Sequence, residues 1–321
     1  MVELVAALAL FIGPAPPAGP TIAWGDAAHA WAGGGGGIFA SSDGGATWRT
    51  QTRAPALQLA ATDARHAWAL SAQGVTIRTT DGVRWLGLGV QHLMRLSFVD
   101  ATHGFALERD DFVMRTTDGG VTWKPTGGPS RLQSICFSTA STGWVARDGT
   151  IWTTHDAGAH WTSKLLLRAP DGNPPVPELS CHGRDVWAMI TTGAAAGSQA
   201  YAVYRSRDAG ATWRAVYGQF LVKGRPRISA YAGPIAALGN GDAVLEGSCA
   251  ACDGYGTVTI IHGAIRKTFP DAWPGGPMAF KDPRHGLLVL KSARTQVPSV
   301  WRTADGGRHW TRVLTSSRLK P

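Results

Sequence analysis

The chain has few of the groups on which common catalysts are built. Only four glutamates occur in 321 residues, Glu3, Glu108, Glu178 and Glu246. No HExxH, no phosphate-binding P-loop and no GxSxG is present, which removes zinc peptidases, nucleotide hydrolases and serine hydrolases of the elbow type. The glycine run 33–37 lacks the strand and helix that a dinucleotide site needs around it. No carboxylate-rich loop demands calcium. Cysteine is limited to Cys136, Cys181, Cys249 and Cys252, and the lone Cys249-Ala-Ala-Cys252 has no second pair to complete a zinc site. Neither a metal nor a cofactor is therefore expected. Helical periodicity is missing throughout. Long apolar runs are missing too: Leu4 to Ile12 is too short to span a bilayer.

What is abundant points to a β-rich globule. The chain carries 41 glycines and 14 tryptophans, with 44% hydrophobic and 17% charged residues. Glycines serve turns with positive φ, and tryptophans fill space between packed sheets. Lys and Arg number 31 against 22 Asp and Glu, a formal charge of +9 that favours anionic partners without naming one. The apolar stretch at 4–12, followed by a Pro/Ala/Gly segment, has the form of a secretory leader, although Glu3 stands where a positive residue is usual. Export to the periplasm or beyond, membrane surface included, is the expectation, with residues 1–19 as leader or N-terminal segment.

One motif repeats: Ser41-Ser-Asp43-Gly-Gly-Ala-Thr47-Trp48 is followed by close copies around Asp118 and Trp123, Asp156 and Trp161, Asp208 and Trp213, and Asp305 and Trp310. A sixth copy, Asp81 to Trp85, is one residue short. This is the S-x-D-x-G-x-T-W Asp-box, or BNR repeat. The aspartates at 43, 81, 118, 156, 208 and 305 are 38, 37, 38, 52 and 97 residues apart, so the last interval holds one unit without a box. Strand-like stretches at 228–232, 242–246 and 257–261 fill it. Each unit parses into four short strands, with the box as the turn between the third and fourth. Seven such units of 37–52 residues predict an all-β, seven-bladed β-propeller over residues 20–315, followed by a tail at 316–321. The box aspartates are expected to bond the amides of their own turns, and the box tryptophans to pack between blades.

Units also combine a turn such as His29-Ala-Trp31, His66-Ala-Trp68, His103-Gly-Phe105 or His285-Gly-Leu287 with a later stretch such as Met114-Arg-Thr-Thr-Asp118. That pairing resembles the photosystem II stability/assembly-factor propellers over nearly the whole chain. The resemblance implies an exported, non-enzymatic scaffold that holds membrane-protein subunits. Sialidases share the box, but this chain has no early Arg-Ile-Pro element and few glutamates to supply the paired carboxylates of a glycosidase. A carbohydrate-active propeller, either a sialidase-like enzyme or a glycan binder, is the alternative, with Glu178 and Glu246 as its nearest carboxylates.

In a four-stranded blade the box turns and His-Ala-Trp turns share one face. On the other, loops lengthen in the second half: 165–177, 191–199, 218–226, 247–256 and 291–298. Long loops on a rigid scaffold are where function concentrates. Lys223, Arg225, Arg227, Lys291 and Arg294, with Tyr217 and Phe220 and nearby Trp273, are the candidate binding residues. They suit an acidic protein segment, an envelope or membrane protein, or an anionic glycan; no nucleic-acid motif is visible. Arg78, Arg115, Arg205 and Arg302 hold one repeated position before the box and are expected to pack on tryptophans and bond neighbouring carboxylates or carbonyls. Cys136 and Cys181 fall at nearly equivalent places on consecutive inner strands, so a disulfide between blades is expected, and Cys249–Cys252 would close a loop. A monomer is expected.

Overall fold

The computed structural model describes residues 20–320, apart from 109–111, 169–173, 196–197, 226–228, 250–254, 262–264, 270–271, 274–275 and 293. The leader-like segment 1–19, Arg227 and Cys252 lie outside the described residues, as do the side chains of Cys249 and Trp273.

Seven antiparallel sheets form in chain order, each from consecutive strands. Blade 1 holds β1 (Thr21–Trp24), β2 (Ala30–Gly34), β3 (Gly37–Ser41) and β4 (Arg49–Thr52). Blade 2 holds β5 (Gln58–Ala61), β6 (Ala67–Leu70), β7 (Val75–Thr79) and β8 (Leu86–Val90). Blade 3 holds β9 (Leu93–Phe98), β10 (Gly104–Glu108), β11 (Val113–Thr116) and β12 (Lys124–Pro125), and blade 4 holds β13 (Ser134–Phe137), β14 (Gly143–Arg147), β15 (Thr150–Thr154) and β16 (Thr162–Leu165). Blade 5 is the longest: β17 (Val176–His182), β18 (Asp185–Ala195), β19 (Ser198–Ser206) and β20 (Arg214–Gln219). Blade 6 is β21 (Tyr231–Ala237), β22 (Ala243–Cys249), β23 (Tyr255–Ile261) and β24 (Ile265–Phe269). Blade 7 adds a two-residue strand β25 (Ala272–Trp273) to β26 (Met278–Phe280), β27 (Gly286–Ser292), β28 (Pro298–Thr303) and β29 (Thr311–Thr315), and a 3-10 turn η1 (Ser317–Leu319) ends the chain. The expected seven-bladed architecture is the one observed.

Two local expectations differ. Residues 191–195 and 198–199 are strand rather than loop: β18 and β19 continue pairing through Thr191↔Tyr201 to Ala195↔Ser198, because Thr191 and Thr192 are β-branched and suit a strand. The first strand of blade 6 runs to Ala237 rather than stopping near Ala232. Gly233-Pro234, which reads as a breaker, is absorbed as a register shift between Ala232 and Ile235.

Packing between blades is aromatic. Trp31, Trp68 and Trp144 occupy the second position of β2, β6 and β14, Trp187 the third of β18, and all four are fully buried. Trp68 stacks on Phe98 of the next blade at 3.6 Å, and Phe105 stacks on Phe137 at 3.5 Å. The box tryptophan then meets the same phenylalanine edge-on: Trp123 on Phe98 at 5.8 Å, Trp161 on Phe137 at 6.3 Å. Each aromatic buried this way contributes about 1.5–3 kcal/mol from transfer alone. A side chain at Gly104 or Gly143, which open β10 and β14, would collide with the ring of Phe98 or Phe137, so glycine is required there.

The innermost strands leave one edge unpaired toward the channel, and side chains of the preceding blade supply its partners. Leu59 N donates to Thr21 Oγ1, Leu96 N to Gln58 Oε1, Phe137 N to Ser97 Oγ, Leu179 N to Ser134 Oγ and Ala237 N to Ser180 Oγ, all at 2.9–3.0 Å. This girdle satisfies backbone donors that burial would otherwise leave costly. Between blades 4 and 5, Cys136 and Cys181 are joined by a disulfide with Cα atoms 6.1 Å apart.

Candidate functional site

The box turns repeat one hydrogen-bond pattern. Asp43 Oδ1 accepts from Thr47 N and from Ser41 Oγ, its Oδ2 accepts from Thr47 Oγ1, and Trp48 Nε1 donates to Gly45 O. Asp118, Asp208, Asp156 and Asp305 do the same, with His160 or His309 replacing threonine in the last two. The threonine hydroxyl first, then its amide, hold the carboxyls of Asp43 and Asp208 down at about 2. These carboxylates are consumed by their own turns, which is a structural role. In the short box, Trp85 loses the glycine carbonyl and donates to Gln51 Oε1 instead.

A second repeat escaped the sequence reading. The four His turns begin with an aspartate three residues earlier: Asp26, Asp63, Asp100 and Asp282 each accept from the amide of the following His and from its Nδ1. The signal was present as D-x-x-H at constant spacing. Blades 4, 5 and 6 have Thr139, His182 and Gly239 where this aspartate stands.

The arginine before the box locks one blade to the next. Arg78 Nη1 donates to the carbonyls of Asp118 and Gly119, and Arg302 Nε donates to that of Gly44 across the ring closure. Trp68 Nε1 and Trp144 Nε1 reach the box carbonyls of Gly119 and Ala209 in the same direction. Arg205 occupies this position in blade 5, but blade 6 has no box: three residues, 262–264, separate β23 from β24. Arg205 is only 7% exposed. Its Nε and Nη2 make no hydrogen bond, its guanidinium lies 5.1 Å from the Trp187 ring, and Nη2 approaches Asp185 Oδ1 at 3.5 Å. Burial first, then the nearby Arg207, push the Arg205 pKa down, while Asp185 and Asp242 oppose the shift.

A pocket of about 460 Å³ opens beside this arginine, lined by Arg205, Arg207, Thr212, Arg214, Val216 and Arg225, among others. Arg225 was expected on the opposite, long-loop face. It comes here because the segment after β20 folds back on the outer strand, with Leu221 and Val222 packed against the blade-5 core near Trp213 and Ala215. The same segment holds Phe220 out to solvent, 77% exposed, at a φ of 64° that a bulky residue rarely adopts. Lys223 is exposed beside it, and Tyr217 is half-buried on β20. Lys291 and exposed Arg294 sit on blade 7, Lys291 paired in register with Trp273 and Pro298, so they form a separate basic group.

Glu178 and Glu246 face the interior. Glu246 is fully buried on β22. Glu178, on innermost strand β17, accepts weakly from Ile235 N at 3.5 Å; burial pushes its carboxyl up to about 7, with Arg95 opposing. Among the described residues no cluster of three metal-ligating side chains occurs.

With this geometry in place, comparisons with known proteins agree on the fold. The family model described as "Photosynthesis system II assembly factor YCF48" matches residues 84–240. No curated protein sequence matches. Among solved structures, one titled "YCF48 bound to D1 peptide" aligns over 78% of this chain and 79% of its own, at 15% identity and a TM-score of 0.51. An oligogalacturonate lyase in complex with manganese aligns over 88% and 87%, at 11% identity and a TM-score of 0.55. YCF48 from Cyanidioschyzon merolae covers 96% of this chain and 88% of its own at 14% identity, with a TM-score of 0.49. At these identities the structural likenesses speak to fold alone. The chain is a seven-bladed β-propeller, similar over residues 84–240 to the photosystem II assembly-factor family model.

Proposed function

We propose that this propeller is a non-enzymatic scaffold that binds an acidic segment of another protein, an envelope or membrane protein, through the outer surface of blade 5. The observation that carries the reading is Phe220: a large apolar side chain held in solvent, in a strained backbone conformation, on a segment that also bears Lys223 and Arg225. Strained residues persist where the surroundings fix them, and an aromatic anchor rimmed by cations is a common form of protein-binding hot spot. The family match supports the scaffold reading, as does the structure of YCF48 with a D1 peptide as an analogy. The disulfide between blades 4 and 5 supports an exported protein, since such bonds persist in oxidising compartments.

Chemical crosslinking and capture from envelope fractions of the native host, wild type against Phe220→Ala with Lys223→Ala, tests it. One defined protein held by wild type and lost about tenfold in the variant is the expected result; equal capture by both would refute the surface. The carbohydrate reading has one favourable observation, the raised Glu178 carboxyl, since a glycosidase acid needs such a shift. Turnover of fluorogenic sialosides, abolished in Glu178→Gln, would move it ahead.

A further inference from the structure

The repeat that locks neighbouring blades is interrupted once beside an excess of positive charge. In blades 2 and 7 the arginine before the box is matched by backbone carbonyls of the next box. Arg115 in blade 3 holds the same position with its Nε unbonded. In blade 5 the next blade has no box. Arg205 is buried with two nitrogens unbonded, and Arg207, Arg214 and Arg225 converge on the same pocket. Against four guanidinium groups stand Asp185 and Asp242, which act on Arg205, and Asp208, which holds Thr212 at the pocket wall. The pocket between blades 1 and 2, of about 370 Å³, is balanced instead, with Arg49 against Asp81. The backbone leaves room as well: at Gly241 any side chain would collide with Arg205, and it would crowd Arg207.

We propose that the pocket beside Arg205 on blade 5 is an oxyanion site that takes a tetrahedral phosphate-type group, with Arg205 as its buried base and Arg207, Arg214 and Arg225 as its rim. Guanidinium forks match such oxygens in geometry, and a buried donor that lacks a partner gains most from one. Thr212 lines the pocket, but its hydroxyl is already committed to Asp208, so the arginines supply the contacts. The site does not depend on the protein-binding reading, because it requires only that an anion replace the missing box carbonyls.

Inorganic phosphate is the probe, titrated into the full chain at constant ionic strength and followed by calorimetry, with chloride as the reference anion. Saturable binding is expected, weakened about tenfold or more by Arg207→Ala with Arg214→Ala. Both of these side chains are exposed, so the double variant keeps the fold. Arg78→Ala, which breaks a lock elsewhere, leaves phosphate binding unchanged. The same chemistry can arrive as a lipid headgroup. Sedimentation with vesicles containing phosphatidic acid, against phosphatidylcholine alone, separates the sources: retention with acid vesicles and its loss in the double variant assigns the headgroup. Absence of both saturable phosphate binding and vesicle retention, or binding that the double variant leaves intact, overturns the proposal.

Discussion

Blades 7, 1, 2 and 3 differ from blades 4, 5 and 6 in how much of their structure is reused. The first group carries the D-x-x-H turn in every member and closes its strands with tight box turns, and its blades 2 and 7 lock their neighbours by arginine or tryptophan to a box carbonyl, as blade 4 does through Trp144. In the second group the D-x-x-H turn is gone, strands lengthen in blades 5 and 6, an outer segment folds back on blade 5, and the box itself vanishes from blade 6. A disulfide appears between blades 4 and 5, where the girdle alone holds in other places. The contrast teaches that the repeat is a stability device: where it lapses, groups otherwise satisfied by a neighbour become available for other contacts.

The largest effect should come from breaking the regular half. Trp68→Ala removes a fully buried ring stacked on Phe98 and its bond to Gly119 O, and should cost about 3–5 kcal/mol in denaturant unfolding. Val244 holds the same strand position in blade 6, and Val244→Ala should cost distinctly less. Equal losses would mean that the two halves are held equally.

A smaller effect separates the halves by pH. Blade 2 fills its girdle position with Gln58, whereas blade 5 offers Glu178 to Ile235 N. Burial raises the folded-state pKa of Glu178 from 4.5 to about 7, against the pull of Arg95. A raised carboxyl favours the protonated fold, so its contribution is complete below pH 4.5 and is lost as pH climbs toward 7. Glu178→Gln should remove that slope and leave the variant about 1–3 kcal/mol more stable than wild type near pH 8. Unfolding midpoints measured from pH 4 to 8 check it, and parallel curves would show that the carboxyl is not deep.

The finest comparison is between two arginines at one repeat position. Arg78→Met removes the donor to Asp118 O and one of two donors to Gly119 O, which keeps Trp68 Nε1, and should cost about 1–2 kcal/mol. Arg205→Met strands no box carbonyl and removes unbonded donors, so its loss should be near zero in phosphate-free buffer. A larger loss at Arg205 would place its value in the Asp185 contact instead.

The fold was legible because the box is local: Asp43 through Trp48 bond within one turn, and that constraint writes itself into eight adjacent residues. The inner-strand positions of Cys136 and Cys181 were legible for the same reason, since the period fixes equivalent places. The pocket beside Arg205 was not. Its members come from the end of β19, the box turn, the start of β20 and a segment that doubles back, and only packing of Leu221 and Val222 decides where Arg225 goes. Loop sides were assigned from topology, which holds for short connections and fails when a long one finds apolar cover. Glu178 and Arg95, on inner strands two blades apart, share a field only through the channel.

Each described blade is built from consecutive strands, so no sheet stitches the beginning of the propeller to its end. The ring is shut by side-on contacts: Trp24 to Ala279 O, Arg302 to Gly44 O, and the tail, whose Leu319 is buried against Gly34 while Gly35 N and Gly36 N donate to Lys320 O and Arg318 O. Such a molecule is a bracelet with a clasp. Cutting away the last six residues would remove the tail's share of that clasp and loosen the circle without erasing a single blade.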